Sequence, residues 1–333
     1  MRNFIIALAI AMLAASCGNN QKIDISQTYH KLGIQRFEQD LFSIPTDSIW
    51  QYVPQMEQKY GTFFDLYNNQ IINIGGTNQL NYDKKLASFI TDPDIRGSLR
   101  EGNRVFGTDY PAFGNDLSEA WARAAVLFPE IELPKIFTHI SGFNQSVVVD
   151  SGIMSISLDK YLGVNNKYYQ MLRTPNYIQV GMHPQRIVVD AVLALSMTEF
   201  DYTPATDNML SQMLYYGKMH VLADALLPNT PDTLKWCYSA QQLTWCRKNE
   251  RQMWLTMVDK KALFSTSVKE IGRMVNPAPF TASFSQKSPG GVGQWIGYKI
   301  VKSYLKNNPS VTLQQLMYEN DYQKILNMSH YKP

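Results

Sequence analysis

The sequence is poor in the residues that most often carry catalysis. Its 333 residues include only three cysteines and five histidines. No two histidines have the i, i+4 spacing, with a glutamate between them, by which one helix of a zinc protease holds its metal. A G-x-S-x-G segment, which would expose a serine nucleophile, is also absent. These gaps exclude the commonest local motifs of hydrolases, but not a site assembled from distant segments.

Long apolar runs and an excess of one charge are missing as well. The apolar run at 4–13 has ten residues, and a helix of that length rises only about 15 Å, half of a hydrocarbon core of about 30 Å. The chain has 31 basic and 28 acidic residues, for a formal net charge of +3. Because its Lys and Arg residues form no cluster, the composition argues against nucleic acid as a partner.

The N-terminus has the pattern of a secretory signal. Arg2 precedes the apolar run, and small residues at 14–16 lead to Cys17. This ending resembles a bacterial lipobox, with Ala14 at the usual leucine position. We predict that residues 1–16 are removed and that Cys17 carries fatty-acyl chains such as palmitate, more than one of which anchors a protein lastingly. The alternative is an ordinary signal peptide with a chance cysteine.

The chain after Cys17 is predicted to have two parts. Residues 17–32 are polar and are interpreted as a lipidated tether, and residues 33–333 as a single domain. Gly18 is not an acidic retention signal, and no acidic run follows it. We therefore expect an anchor in the outer membrane that faces the periplasm, with surface exposure left open.

The apolar periodicity predicts an α+β fold that is mostly α-helical. Helices dominate the first third, and β-branched runs interrupted by glycine and asparagine predict a small antiparallel sheet, followed by a helical bundle. The predicted strands are 136–140, 146–149 and 153–157. The later predicted helices are 184–200, 208–228, 238–258, 292–306 and 312–319.

The two remaining cysteines are not expected to form a disulfide. If Cys237 and Cys246 lie on one helix, about 13.5 Å separates them, whereas a disulfide requires Cα atoms within about 7 Å. Their apolar neighbours favour two buried thiols, with a reactive or metal-binding thiol as the alternative.

A glycine-rich segment precedes the helix at 292–306. Its spacing fits neither a phosphate loop, since Tyr298 follows Gly297, nor a dinucleotide fingerprint, whose last glycine would come one residue earlier. No nucleotide is therefore expected. We predict a structural turn, with a positive φ or a neighbouring backbone at Gly291 or Gly293, followed by close helix packing. The turn glycines are Gly290, Gly291 and Gly293.

One helix carries a single charge in apolar surroundings. Asp190 is the only ionisable residue between 187 and 195, and an unpaired buried carboxylate would cost several kcal/mol. Lys218 is the first predicted partner, because the adjacent Gly217 would let two helices approach closely. Arg186 and backbone amides are the alternatives. The candidate buried polar site consists of Asp190, Tyr216, Lys218 and His220.

Several segments together resemble the gliding-motility lipoprotein family GldB. They are "YYGKMHVLADALLP" (215–228), "WCRKNERQMW" (245–254), "NPAPFTASFSQKSPGGVGQWIGYKIVKSYL" (276–305) and "SHYKP" (329–333), behind the lipobox. The resemblance extends over most of the chain. It implies a structural or partner-binding envelope component, attached to the membrane by lipid and in contact with other envelope proteins, with a role in gliding.

GldB proteins in turn resemble predicted zinc proteases of the zincin fold. There a strand pair precedes the metal-binding helix, and the next helix begins with Glu-Gly. The helix at 184–200 would take the metal position here, but the histidine pair is absent and Tyr216 replaces the glutamate before Gly217. The resemblance thus implies a zincin-like scaffold without metal or cofactor. A hydrolase of peptide, glycan or lipid with a non-standard site is the alternative.

Overall fold

The structure, a computed structural model, describes residues 23–333. The predicted signal peptide, Cys17 and the first part of the tether lie outside the described residues. The end of the tether contacts the domain: the Thr28 hydroxyl donates to the Ala122 carbonyl at 2.9 Å, and the Leu32 amide donates to the Ser118 hydroxyl at 3.1 Å.

The described chain is mainly helical around one small sheet, so the predicted α+β, mostly helical class is confirmed. The strands are β1 (Ile34–Arg36), β2 (Lys135–His139), β3 (Val147–Asp150) and β4 (Ile153–Ser157). The helices before β2 are α1 (Phe37–Leu41), α2 (Ile49–Tyr60), α3 (Thr62–Leu66), α4 (Tyr82–Thr91), α5 (Pro93–Phe106) and α6 (Gly114–Leu127), with a π-helical turn at Tyr67–Ile71. The helices after β4 are α7 (Lys167–Met171), α8 (Asn176–Gln179), α9 (Ile187–Glu199), α10 (Met209–Leu226), α11 (Asp232–Trp236), α12 (Ala240–Asp259), α13 (Val268–Val275), α14 (Val292–Asn307), α15 (Leu313–Tyr318) and α16 (Tyr322–Ser329).

The sheet is mixed, with strand order β1-β2-β4-β3. β1 pairs parallel to β2, β2 pairs parallel to β4, and β3 with β4 is antiparallel. The prediction of an antiparallel sheet is therefore wrong for two of the three pairings. For β2 and β4 the reason lies at Ser151 and Gly152, whose positive φ values of 47° and 75° form a tight hairpin turn that returns β4 between β2 and β3. The other parallel pairing involves β1, which is not among the predicted strands.

The apolar side chains form two large clusters. One surrounds the sheet and includes α9, and the other lies among the C-terminal helices. α10 contributes to both, with Met219 and Leu222 in the first and Met213 and Leu214 in the second. This explains why α10 is apolar around most of its circumference.

α10 and α14 meet through glycines. A Cβ atom on Gly217 would lie 2.5 Å from the carbonyl carbon of Gly297, and a Cβ atom on Gly297 would overlap the Met213 carbonyl. The predicted close approach occurs at Gly217, but the helix that approaches is α14 and not α9, which carries Asp190. Within the described residues, no helix has the length and hydropathy needed to cross a bilayer.

Candidate functional site

A cavity of about 470 Å³ opens between α9, α10, α11 and the glycine turn before α14. α9 and α10 provide Asp190, Tyr216 and His220, and the turn provides Gly290 and Gly291. Each of these five residues is at least 25 positions from the nearest of them on another element, so tertiary packing alone brings the three elements together. The cavity thus brings three of the four predicted polar residues next to the predicted glycine turn.

Asp190 pairs with Arg186, so the prediction that Lys218 is its partner is wrong. The Arg186 Nε atom donates to Asp190 Oδ1 at 2.7 Å, and the Tyr161 hydroxyl donates to Asp190 Oδ2 at 2.8 Å. Arg186 lies one helical turn before Asp190, so both side chains share one helix face. The alternative partner named from the sequence is the correct one.

Lys218 points away from the cavity. Its buried ammonium group donates to the carbonyl of Met317 at 3.0 Å and to that of Glu319 at 2.8 Å, at the C-terminal end of α15. Burial lowers the pKa of Lys218 to about 8. The positive charge lies at the negative end of the α15 dipole, which is a structural role.

A second ion pair, missed from the sequence, lies beside the cavity. Lys235 Nζ donates to Asp224 Oδ1 at 2.8 Å, and the Tyr298 hydroxyl donates to Asp224 Oδ2 at 2.7 Å. Both carboxylates of the region, Asp190 and Asp224, thus have a cation and a phenol as partners. The charges around the cavity cancel in pairs.

His220 is held as a neutral ring. Burial lowers its pKa to about 4, and its Nε2 lies 3.1 Å from the side-chain oxygen of Gln294. The Gln294 amide nitrogen donates to the Val275 carbonyl at 2.6 Å, which orients the Gln294 oxygen as the acceptor from Nε2–H. Nδ1 is then an acceptor, and within the described chain no group donates to it. The ring stacks on Trp236, with 3.8 Å between centroids.

The glycine turn forms one wall. Gly291 has a φ of +70°, as predicted for one of two glycines, and a Cβ atom on Gly293 would lie 2.6 Å from Met274 Cγ. The Gly290 carbonyl accepts from the Tyr238 hydroxyl at 2.7 Å. The backbone of the turn is therefore held in place from the α11 side of the cavity.

The mouth of the cavity has an exposed apolar lip. α8 and the residue after it provide Tyr177, Ile178 and Val180, and α9 provides Met197. Met171 and Leu172, at the end of α7, are exposed as well and precede this segment in the chain. An exposed apolar cluster beside a polar floor is typical of a binding surface.

The family model for gliding motility protein GldB matches residues 18–333. The chain belongs to the GldB family. No curated protein and no solved structure matches the chain significantly. The zincin-like scaffold therefore stays a prediction, whereas membership in a lipoprotein family is established and agrees with attachment to the cell envelope by lipid.

The two thiols of this GldB chain differ in their surroundings. Cys237 is half-buried and lines the cavity, and Cys246 is buried. Burial raises the pKa of both thiols, that of Cys246 to about 12. Both are free thiols, and the prediction that both are buried is right for Cys246 and wrong for Cys237, which lies at the cavity. Between residues 23 and 333 no group of three or more His, Cys, Asp and Glu side chains has a metal-binding arrangement. The cavity thus presents hydrogen-bonding and apolar groups, with its thiol held in the protonated form.

Proposed function

We propose that this GldB-family lipoprotein faces the periplasm from the outer membrane and holds a partner protein of the gliding-motility apparatus there. The observation that carries the proposal is the cavity with its exposed apolar lip. A surface of this kind excludes water efficiently only when another molecule covers it. The polar floor adds specificity, because a partner must match its hydrogen-bonding groups.

The anchor in this proposal is the acylated Cys17. The polar segment that follows it offers no other membrane attachment. Cys17→Ser should leave the chain translocated but free in the periplasmic extract, and should abolish its labelling by a radioactive fatty acid. Labelling that persists in the variant, or a variant that stays in the membrane fraction, would contradict an anchor at Cys17.

Partner contact at the lip can be tested by photo-cross-linking in cells. Benzoylphenylalanine in place of Tyr177 lies at the lip, and in place of the exposed Phe264 it lies outside the cavity lining. We expect one discrete adduct from position 177 and none of the same mass from position 264. Identical adducts from both positions, or no adduct from position 177, would count against a partner held at the lip.

A further inference from the structure

We infer that the cavity binds an uncharged internal segment of a partner polypeptide, with an apolar side chain of that segment inserted beside His220. This inference rests on the proposed partner-binding function and specifies its chemistry. The argument has three parts, which are the charges of the cavity, its open hydrogen-bonding positions and its aromatic surface.

The charged side chains of the cavity are already paired with one another. Arg186 donates to Asp190 and also to the carbonyls of Leu234 and Lys235, and Lys235 is paired with Asp224. A ligand with its own phosphate, carboxylate or ammonium group would have to break one of these pairs and leave a charge unpaired near the interior. The pairing therefore favours the interior of a chain over a charged terminus or a modified side chain.

The open hydrogen-bonding positions suit a peptide backbone. His220 Nδ1 is an acceptor with no donor in the described chain, and the amide side chains of Gln242 and Asn276 line the same cavity. The Gln242 oxygen already accepts from the Ser239 amide at 2.9 Å, so the side-chain nitrogen of Gln242 is its group open to a ligand. A peptide supplies both N–H donors and carbonyl acceptors for these groups. An alkyl chain supplies neither and would bury the polar groups unpaired, at about 1–3 kcal/mol each. The floor of the cavity is thus a poor host for lipid.

The aromatic surface argues against a sugar. Trp236 is nearly buried: His220 covers it at 3.8 Å, and Tyr238 stacks on the same ring with 5.9 Å between centroids. Its faces therefore give little area on which a sugar ring could stack. The aliphatic lip at Ile178, Val180 and Met197 instead suits an apolar side chain. A volume of about 470 Å³ lies within the range of small-ligand sites.

The test titrates the full chain with blocked pentapeptides, acetylated and amidated, of the form Gly-Ser-X-Ser-Gly. Trp fluorescence or chemical shifts report binding. We expect saturable binding when X is leucine or phenylalanine, and at least tenfold weaker binding when X is aspartate or lysine or when the C-terminus is a free carboxylate. Equal or stronger binding of the charged peptides would overturn the inference. So would absence of saturation at millimolar peptide, or tighter binding of octyl glucoside or maltotriose.

Matched variants locate the binding. Val180→Glu at the lip should weaken the leucine peptide at least tenfold, whereas Val258→Glu should not, although the two valines are 47% and 44% exposed. Met197→Glu and Met328→Glu, both 38% exposed, form a second pair with the same expectation. Equal effects within each pair would overturn the inference. If the cross-linked adduct at position 177 forms in cells but no blocked peptide binds, the proposed function stands and this inference fails. If neither the adduct nor peptide binding is observed, the proposed function and this inference both fail.

Discussion

Two buried histidines mark two different kinds of polar region in this protein. His139, at the end of β2, is sealed among Phe63, Tyr67 and the sheet, and neither ring nitrogen has a partner among the described residues. His220 is also buried, but it lines an open cavity. Burial lowers the pKa of both rings, to about 3 for His139 and about 4 for His220.

One carboxylate from each region shows the same difference. Asp159 is sealed near β4 and accepts from the amides of Phe143 at 2.7 Å and Ser141 at 3.2 Å. Asp190, at the cavity, is partly exposed. Burial lowers the pKa of both histidines, so a perturbed pKa alone would not distinguish the two regions. Access to a cavity is what distinguishes the proposed binding site from the buried polar core.

The largest expected loss of stability comes from disrupting the contact between α10 and α14, the two helices that hold His220 and Gln294 at the cavity. Gly297→Leu would place a side chain in the Met213 backbone, so α10 and α14 must separate, with a loss of about 3 kcal/mol or more of stability. Urea denaturation measures the loss. Gly33→Leu is the control, because no atom lies within 4 Å of a Cβ there. Equal stability of both variants would show that this contact does not depend on glycine.

The two histidines should make the protein acid-sensitive. Both pKa values are lowered from about 6.5, so below pH 6.5 the unfolded state binds more protons than the folded state. The stability present above pH 6.5 should be lost towards pH 4, by up to about 1.4 kcal/mol per pH unit for each ring. Asp159, whose pKa is raised by burial, opposes this trend.

His139→Leu sharpens the comparison. It should reduce the slope of unfolding free energy against pH between 6.5 and 4, as measured by urea denaturation at several pH values, and should leave peptide binding unchanged. The exposed His30→Leu is the matched control. If the slope did not change in His139→Leu, the acid sensitivity would arise elsewhere.

The ion pair of the cavity should contribute about 1–3 kcal/mol. Asp190→Ala removes the partner of a guanidinium group that is largely buried, so its melting temperature should fall. The double change Arg186→Met with Asp190→Leu should lose less stability than the sum of the two single changes. Additive losses in this double-mutant cycle would show that the two side chains do not act as a pair.

The smallest expected effect concerns the thiols and involves no loss of stability. In the native protein at pH 8, iodoacetamide should modify Cys237 before Cys246, because Cys237 lines the cavity. Both should react more slowly than an unfolded control, because burial raises both pKa values. A bound leucine peptide should protect Cys237. Mass spectrometry of tryptic peptides gives the order, and equal rates would mean that the cavity is closed in solution.

Local patterns predicted the helices well. The apolar period located α9, α10, α12, α14 and α15 to within a few residues, because each must bury one or more faces. The sequence also required a partner for Asp190. It did not distinguish Lys218 from Arg186, since that depends on which face of α10 meets α15, and only tertiary packing decides it.

The missed pairings and side-chain contacts are long-range. β1 has three residues, too few for a periodic signal, and pairs with β2 about one hundred positions away. Gln294 is 74 positions from His220, and Lys235 lies on a short helix that faces Asp224 only after α10 and α11 pack. Nothing in the neighbouring residues of any of these indicates its partner. The cavity as a whole therefore follows from assembly, although four of its polar residues, Arg186, Asp190, Tyr216 and His220, were named from sequence.

α10 and α14 cross at the contact between Gly217 and Gly297, and the cavity residues His220 and Gln294 lie close to this crossing point. His220 and Gln294 each lie three residues, less than one turn, from their own glycine. A rotation of about 10° at the crossing would shift a residue one turn of about 5.4 Å away by only about 1 Å. A rotation about this contact would thus change the width of the cavity at His220 by only about 1 Å. A ligand there would meet a wall that already has nearly its bound shape.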